Sequence, residues 1–597
     1  MASRNVLLYG SPDPLPRGTP LRAGPVELRF DHGALRYLRV GGREVVRRIA
    51  MALRDPDWGT VPARIAALKI AAARTEFQVT FVAEHEDGPV HFRWHARIDG
   101  TPDGMVRFQM DGQALRTFRR NRIGLFVIHP VEGFAGTEVE IETVDGDRRR
   151  GLVPVAVSPH QVFQRIRAVF HEIAPGCQAE VRLEGETFEM EDHRNWTDSG
   201  FKTYGTPLSL PFPVEVPKGT VIRQQAVFRI HGSPPRKAAG PSGAHAVEMR
   251  LKSGPLPVPA VGLALAHEEA DLERLRTLRL SHIRVLAGRP LAGAPPELPV
   301  EAVILAGEEP ERQMREALEW AVGSGLRVAR WVLLSARHLV TPAAWAEAGR
   351  KILAGAPLVG GTRGHFAELN RNRPPADAFV AVCFAVCPQV HDSDNTALME
   401  NCAAQRDAVI SALRFAPAVY AAPVSLRPQF NPVAAGPQPA PRPDPRQGSL
   451  FCAAWTVASF KYLAEAGAAG ITYFETAGPA GVMTEGRVFP VWHVLADLGE
   501  FREGVVMPCT SSEPLAVEFF ALRLGNRRRI LAANLTPRRQ RLRWRGPARI
   551  RVLDADSAEE AMFDPGRFRR RTRQAAGDGG FSLDAYGIAT LDLEQTA

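Results

Sequence analysis

The sequence predicts a multidomain chain of α/β plus all-β class: a central (β/α)8 TIM-type barrel flanked by an N-terminal antiparallel β-sandwich and a small C-terminal β-sandwich. Three observations carry this. Short alternating strands fill the first third, eight apolar runs alternating with amphipathic helical stretches fill the middle, and the strand pattern returns at the end. With 597 residues the chain exceeds what one hydrophobic core can organise, so several domains are required.

Residues 1–230 read as the first domain. VELRFDHGALRYLRVGG, FQVTFVAEHEDGPVHFRWHARIDG and AEVRLEGETFEME alternate apolar and polar residues between Gly, Pro and Asp turns. Many short strands must cover one another's apolar faces, which points to an antiparallel sandwich. Residues 231–249, with the Pro-, Gly- and Ala-rich stretch HGSPPRKAAGPSGAHA, read as a linker.

Residues 250–503 change pattern. The strand candidates are VGLALA, IRVLAG, VEAVILAG, RVARWVLLSA, PLVGG, AFVAVCFAV, AVYAAPVSL and ITYFET. Most lead into a helix-period stretch such as PERQMREALEWAVGSG. Continuous apolar strands covered by helices mark a parallel sheet, and eight units in about 250 residues is the usual size of a barrel. The open doubly wound alternative lacks a G-x-G-x-x-G or Walker loop. Residues 504–597, with LAVEFFALRL, RRILAANLT and GIATLDLE, read as a small all-β domain.

Composition narrows the function classes. The chain is 45% hydrophobic and 23% charged, ordinary globular values. Its net charge of +9 lies largely in arginine runs at Arg148–Arg150, Arg527–Arg529, Arg538–Arg543 and Arg567–Arg573. No nucleic-acid motif accompanies them, so they read as solvated faces and no nucleic-acid partner is expected. The six cysteines form no Cys-x-x-Cys pair and read as buried thiols. No secretory signal and no apolar run of about 20 residues is present, so a cytoplasmic protein without membrane contact is expected.

In a barrel enzyme the chemistry lies just past the C-terminal ends of the strands. The eighth strand candidate closes on Glu475. The fifth opens into Thr362–Pro374, with Glu368, Asn370 and Arg371. The sixth opens into Cys387-Pro-Gln-Val-His391-Asp392-Ser-Asp394-Asn395. Glu475, Glu368 and His391 are therefore the expected catalytic residues, as carboxylate or imidazole acids and bases. Asp392 can orient His391, and Asp394 or Asn395 can cap the following helix. One His with two Asp is weak evidence for a metal, so neither a metal nor a cofactor is expected. The seventh strand opens into Pro428–Pro445, a stretch of seven prolines that reads as a lid or binding loop.

In the first domain, Glu189–Tyr204 crowds charge, amide, hydroxyl and aromatic groups together. Asn195, Trp196, Asp198, Lys202 and Tyr204 are expected to bind a sugar-like substrate. Its apolar face would stack on the rings while its hydroxyls meet the polar groups. Asn370, Arg371, Asp392 and Asp394 join them from the barrel, and one pocket formed by both domains is expected.

The strings EMEDHRNWTDSGFKTYGTPLSLPFP, GTRGHFAELNRNRP and VCPQVHDSDN resemble the D-apionate lactonase family, bacterial enzymes of branched-pentose breakdown. The resemblance extends over essentially the whole chain and includes the order of the three domains. It implies hydrolysis of a small-molecule sugar lactone, D-apionolactone, to D-apionate. Every role named above comes from position and chemistry, not from the resemblance. No Gly-x-Ser-x-Gly elbow is present, so a serine-hydrolase route has little support. Two alternatives are a glycoside hydrolase using Glu368 and Glu475 as its carboxylate pair, and a non-catalytic carbohydrate-binding scaffold.

Overall fold

The computed structural model describes residues 3–235, 246–291, 294–434, 436, 438–575 and 580–593. Much of the expected linker, residues 236–245, lies outside the described residues.

The N-terminal region is built on one sheet of sixteen strands with antiparallel pairings, and Phe118–Arg120 pairs apart from it with Val214–Val216. Its strands follow the period of two. Val90–Gly100 buries Val90, Phe92, Trp94, Ala96 and Ile98 while Arg93, His95 and Arg97 face solvent. The sheet folds over itself, so that Phe30 near one end of the strand order meets Phe81 near the other, ring centres 5.8 Å apart. The enclosed core is built from side chains such as Leu38, Val46, Phe92, Trp94 and Phe108. Each fully buried large apolar side chain there contributes about 1.5–3 kcal/mol.

Eight parallel strands close the central barrel: β1 (Ala260–Ala264), β2 (His282–Leu286), β3 (Val300–Ala306), β4 (Val328–Ser335), β5 (Leu358–Gly361), β6 (Ala381–Val386), β7 (Val419–Val424) and β8 (Gly470–Glu475). The helices are α1 (Leu272–Thr277), α2 (Pro310–Gly323), α3 (Trp345–Ile352), α4 (Phe366–Arg371), α5 (Asn395–Glu400), α6 (Cys402–Ala412), α7 (Leu450–Glu465) and α8 (Pro490–Gly499). Among the described residues none lies between β2 and β3. Helix α2 shows how sequence becomes packing: Pro310 starts it, Glu311 sits in its first turn, and Met314, Ala317 and Ala321 bury one face. Helix α7 is apolar almost all round because strands of the C-terminal sheet cover its outer side. No helix among the described residues is long and apolar enough to cross a membrane.

The C-terminal sheet has seven strands, and it recruits Leu256–Pro257 as an edge. Met249–Leu251 likewise pairs with Cys509–Ser511. Before it enters the barrel the chain therefore pairs with C-terminal strands, Met249–Leu251 in a separate two-stranded sheet and Leu256–Pro257 in the seven-stranded one. Two arginine runs read as solvated prove partly buried. Arg529, only 4% exposed, and Arg569 converge with Arg551 on Asp497 of α8, at 3.5, 2.7 and 2.6 Å respectively. Arg148–Arg150 do face solvent, paired to Glu140, Asp147 and Glu138 in turn.

A buried polar cluster plugs the barrel interior near the strands' N-terminal ends. Glu301 of β3 binds Arg284 of β2, Arg330 of β4 at 3.1 Å and Thr472 of β8 at 3.3 Å. Burial pushes the Glu301 carboxyl up, but Arg284, His282 and Arg330 outweigh it and hold it at about 2. A carboxyl depressed on folding contributes stability that is full above its unfolded pKa and is lost as pH falls through the folded one. The melting temperature is therefore expected to drop between about pH 4.5 and 2, Glu301 being one contributor. Glu301→Gln should cost about 3–5 kcal/mol at neutral pH, because two arginines lose their buried counter-charge. Thermal denaturation across pH checks both, and an unaltered neutral-pH melting temperature in the variant would contradict the account.

Candidate active site

The site is built where the N-terminal domain meets the C-terminal ends of β5 and β6. Phe188–Asp192 and Phe201–Tyr204 form an antiparallel pair that sets Glu191 opposite Lys202 and Glu189 opposite Tyr204. Between them the 3-10 turn His193–Trp196 is capped by the Asp192 carboxylate and ends on Thr197 in the left-handed region, φ 61°. Asp192 also pairs with Arg194 at 2.7 Å, both fully buried, and Arg194 reaches Asp407 of α6 at 3.1 Å.

This turn locks onto the barrel rim. The Asn370 amide of α4 donates to Asn195 at 2.9 Å, Thr197 donates to the Cys387 carbonyl at 3.2 Å, and the Ser199 N–H reaches Asn401 at 3.0 Å. Asn401 donates to Asp198 at 2.7 Å, and the other oxygen of Asp198 hydrogen-bonds Nδ1 of His391. The His391 ring stacks on that of His193 at 4.2 Å and meets the edge of Trp196 at 5.2 Å. His193 Nε2 lies 3.1 Å from a Glu191 oxygen, and donor atoms of Glu191, His193 and His391 all fall within 4.8 Å of one another.

Charge around this cluster is shifted by burial. Burial lowers His193 to about 4 and takes His391 well below the usual histidine range, so both rings are neutral at physiological pH. Burial raises Glu191, but the His193 hydrogen bond and the Lys202 ammonium outweigh it and hold the carboxyl at about 2. Lys202 is 8% exposed, lies over the Phe126 and Tyr204 rings, and has no ion-pair partner within 4 Å among the described residues. Burial and the Arg54 charge lower its ammonium to about 8.

These groups open onto a cavity of about 2050 Å3 whose walls come from all three regions. Glu191, Trp196, Lys202 and Tyr204 line it from the N-terminal sheet. His365, Glu368, Arg371, His391, Asp392 and Asp394 line it from the barrel, and Thr536 and Tyr586 from the C-terminal domain. Typical small-ligand pockets hold roughly 300–1,000 Å3, so a small sugar acid would fill one end.

The structure sorts the sequence-based candidates. His391, Glu368, Trp196, Lys202, Tyr204, Arg371, Asp392 and Asp394 share the cavity wall. Asn195 and Asn370 do not, because their amides are taken up by each other and by the Ser158, Asp192 and Val157 carbonyls. Asp198 sits behind His391 and is its orienting carboxylate, the role expected of Asp392. Asp392 instead pairs with Arg48 at 2.7 Å. Asp394 caps α5 and pairs with Arg36 at 2.7 Å. Glu368 accepts the His365 N–H at 2.7 Å as half of a capping box, and burial raises its carboxyl.

Glu475 does not line this cavity. Its titratable neighbours are His267, Glu268 and Arg289, and burial raises its carboxyl. Phe474 just before it is in the left-handed region, φ 35°, and the register slips there so that Ala264 pairs with Glu475. That bulge breaks the alternation from which the direction of Glu475 would be read. Glu191 and His193, which meet His391, and Arg48 and Arg54 on the same wall were not singled out from the sequence. The hairpin register opposing Glu191 to Lys202 was the one local signal available.

The (β/α)8 barrel is thus covered at its rim by a β-domain that sets a carboxylate on a rim histidine and a buried ammonium nearby, groups able to carry acid–base chemistry. Sequence models described as the N-terminal domain, the TIM barrel domain and the C-terminal immunoglobulin-like domain of D-apionate lactonase match residues 6–233, 270–503 and 514–591. D-apionate lactonase of Brucella anthropi is 31% identical over 429 residues, spanning 66% of this chain and 70% of that protein. The chain belongs to the D-apionate lactonase family. Among solved structures it is similar to a GH30 endoxylanase from Clostridium papyrosolvens at 10% identity and a TM-score of 0.39, covering 59% of this chain and 100% of that one. A family 30 xylanase from Clostridium acetobutylicum is similar at 12% identity and 0.39, covering 58% and 99%.

Proposed function

We propose that the protein hydrolyses D-apionolactone to D-apionate at the inter-domain cavity. The family supplies the substrate class. The observation that carries the reading is the contact of Asp198 with His391, which fixes a rim imidazole between Glu191, His193 and Lys202 on a cavity wall. Ring opening needs an activated water, a cation for the carbonyl oxygen and a proton for the departing ring oxygen. The water is activated where Glu191, His193 and His391 meet. Lys202, a buried ammonium without an ion-pair partner among the described residues, stabilises the oxyanion. Glu368, raised by burial, carries the proton to the ring oxygen. Trp196 and Tyr204 offer rings to the sugar's apolar face, and Arg371 and Asp392 face its hydroxyls. Asn195, Asn370 and Asp394 act by holding the two domains and the α5 start in place. The six cysteines, unpaired and buried, agree with a reducing cytoplasmic setting.

The glycoside-hydrolase alternative loses support because Glu368 and Glu475 do not share the cavity wall. Purified protein assayed for acid release from D-apionolactone and a panel of aldonolactones should hydrolyse the apionolactone fastest. Rates no higher than spontaneous hydrolysis for every lactone, with sugar released from aryl glycosides instead, would overturn the reading.

A further inference from the structure

We infer that Glu191, His193 and His391 hold a divalent metal ion of the zinc class, and that water bound to it is the nucleophile. The chemistry assigned to the ion rests on the lactonase reading above; the binding site itself does not.

Three observations carry the inference. First, the donor set is two imidazoles and one carboxylate with their donor atoms within 4.8 Å of one another, the set that catalytic zinc hydrolases use while keeping a position open for water. The Glu191 oxygen and His193 Nε2 are 3.1 Å apart, and ligands at about 2.0–2.2 Å from one ion stand roughly 3–3.5 Å from each other at ordinary coordination angles.

Second, His391 is already oriented as a ligand. Its Nδ1 is engaged by Asp198, which is fixed in turn by Asn401 at 2.7 Å, so Nε2 is the nitrogen left for an ion. A carboxylate behind a coordinating histidine sets its tautomer and raises its basicity. Third, the ligands are held before any ion arrives. Glu191 is in a paired strand, and His193 is in a turn tied down by Asp192 and Arg194. Glu191 and His391 both reach the cavity wall, so the open position faces substrate.

The step balances without an added reactant. Water on the ion loses a proton to the Glu368 carboxylate, and its oxygen forms a bond to the lactone carbonyl carbon. The carbonyl π pair moves onto the oxygen facing Lys202. When the carbonyl re-forms, the bond to the ring oxygen breaks, and that oxygen takes a proton delivered through Glu368 to become the product's hydroxyl.

The test uses the full-length protein. Elemental analysis after purification in zinc-supplemented medium should find one zinc per chain. Dialysis against dipicolinate should remove the metal and the activity together, and ZnCl2 should restore both and raise the melting temperature. Glu191→Gln and His193→Asn should bind no zinc while keeping the circular dichroism spectrum of the parent. Asp198→Ala, which removes the carboxylate behind His391 but no ligand, should weaken zinc binding about 10–100-fold. A fully active protein with no bound metal and no response to chelator would overturn the inference and leave the lactonase reading standing. Zinc bound one per chain and lost in both ligand variants, in a protein that opens no lactone, would uphold the site and sink the reaction. Zinc retained in both ligand variants would overturn the site outright.

Discussion

His391→Asn is expected to lower kcat for lactone hydrolysis by about 10²–10⁴ with little change in melting temperature. The variant keeps a polar group near Asp198 but supplies no imidazole nitrogen where the water is activated. Asp198→Asn should cost less than the loss of the ring, because it removes the charge that holds His391 but not His391 itself. The informative comparison is between the two single variants and the double one. Residues acting as a unit give a double variant no worse than the more severe single one. Additive losses in the pair would show that Asp198 and His391 work independently and would remove the basis of the proposed site. Stopped assays that subtract spontaneous lactone hydrolysis are sufficient to measure it.

The asymmetry between what was legible and what was not follows from how each contact is encoded. The barrel was legible because β3 and β4 are unbroken apolar runs and α2 repeats Met314, Ala317, Ala321 on one face, both local patterns. The polar character of Glu189–Tyr204 was visible for the same reason: it interrupts the alternation around it. The partner of His391 was not visible, since Asp198 lies 193 positions away on a different domain. Sequence adjacency favoured Asp392 as orienter, yet Arg48 of the N-terminal sheet captures that carboxylate. Glu475 shows the converse limit. Its place at a strand end was readable, but a bulge at Phe474 made its direction unreadable from the residue types.

Lys202→Met is expected to reduce kcat by about 10²–10³ while leaving KM nearly unchanged, the signature of a contact made chiefly in the transition state. Methionine keeps the packing over Phe126 and Tyr204, so the lost quantity is charge and not shape. Because the ammonium is buried without an ion-pair partner among the described residues, its removal should raise the melting temperature or leave it unaltered, separating this effect from damage to the fold. Lys202→Arg should recover part of the rate. An increase in KM with unaltered kcat would mean that Lys202 binds the ground-state substrate and that the oxyanion is stabilised elsewhere.

The seam joining Asn195, Thr197, Asp198 and Ser199 to Asn370, Cys387, His391 and Asn401 also governs how the molecule can be recombined. Neither partner owns a complete set of reactive groups, so shuffling the β-domain between relatives is not a modular exchange. A chimera would inherit half of each hydrogen-bonded couple, and the incoming domain would have to bring the barrel's 362–373 and 387–401 loops with it.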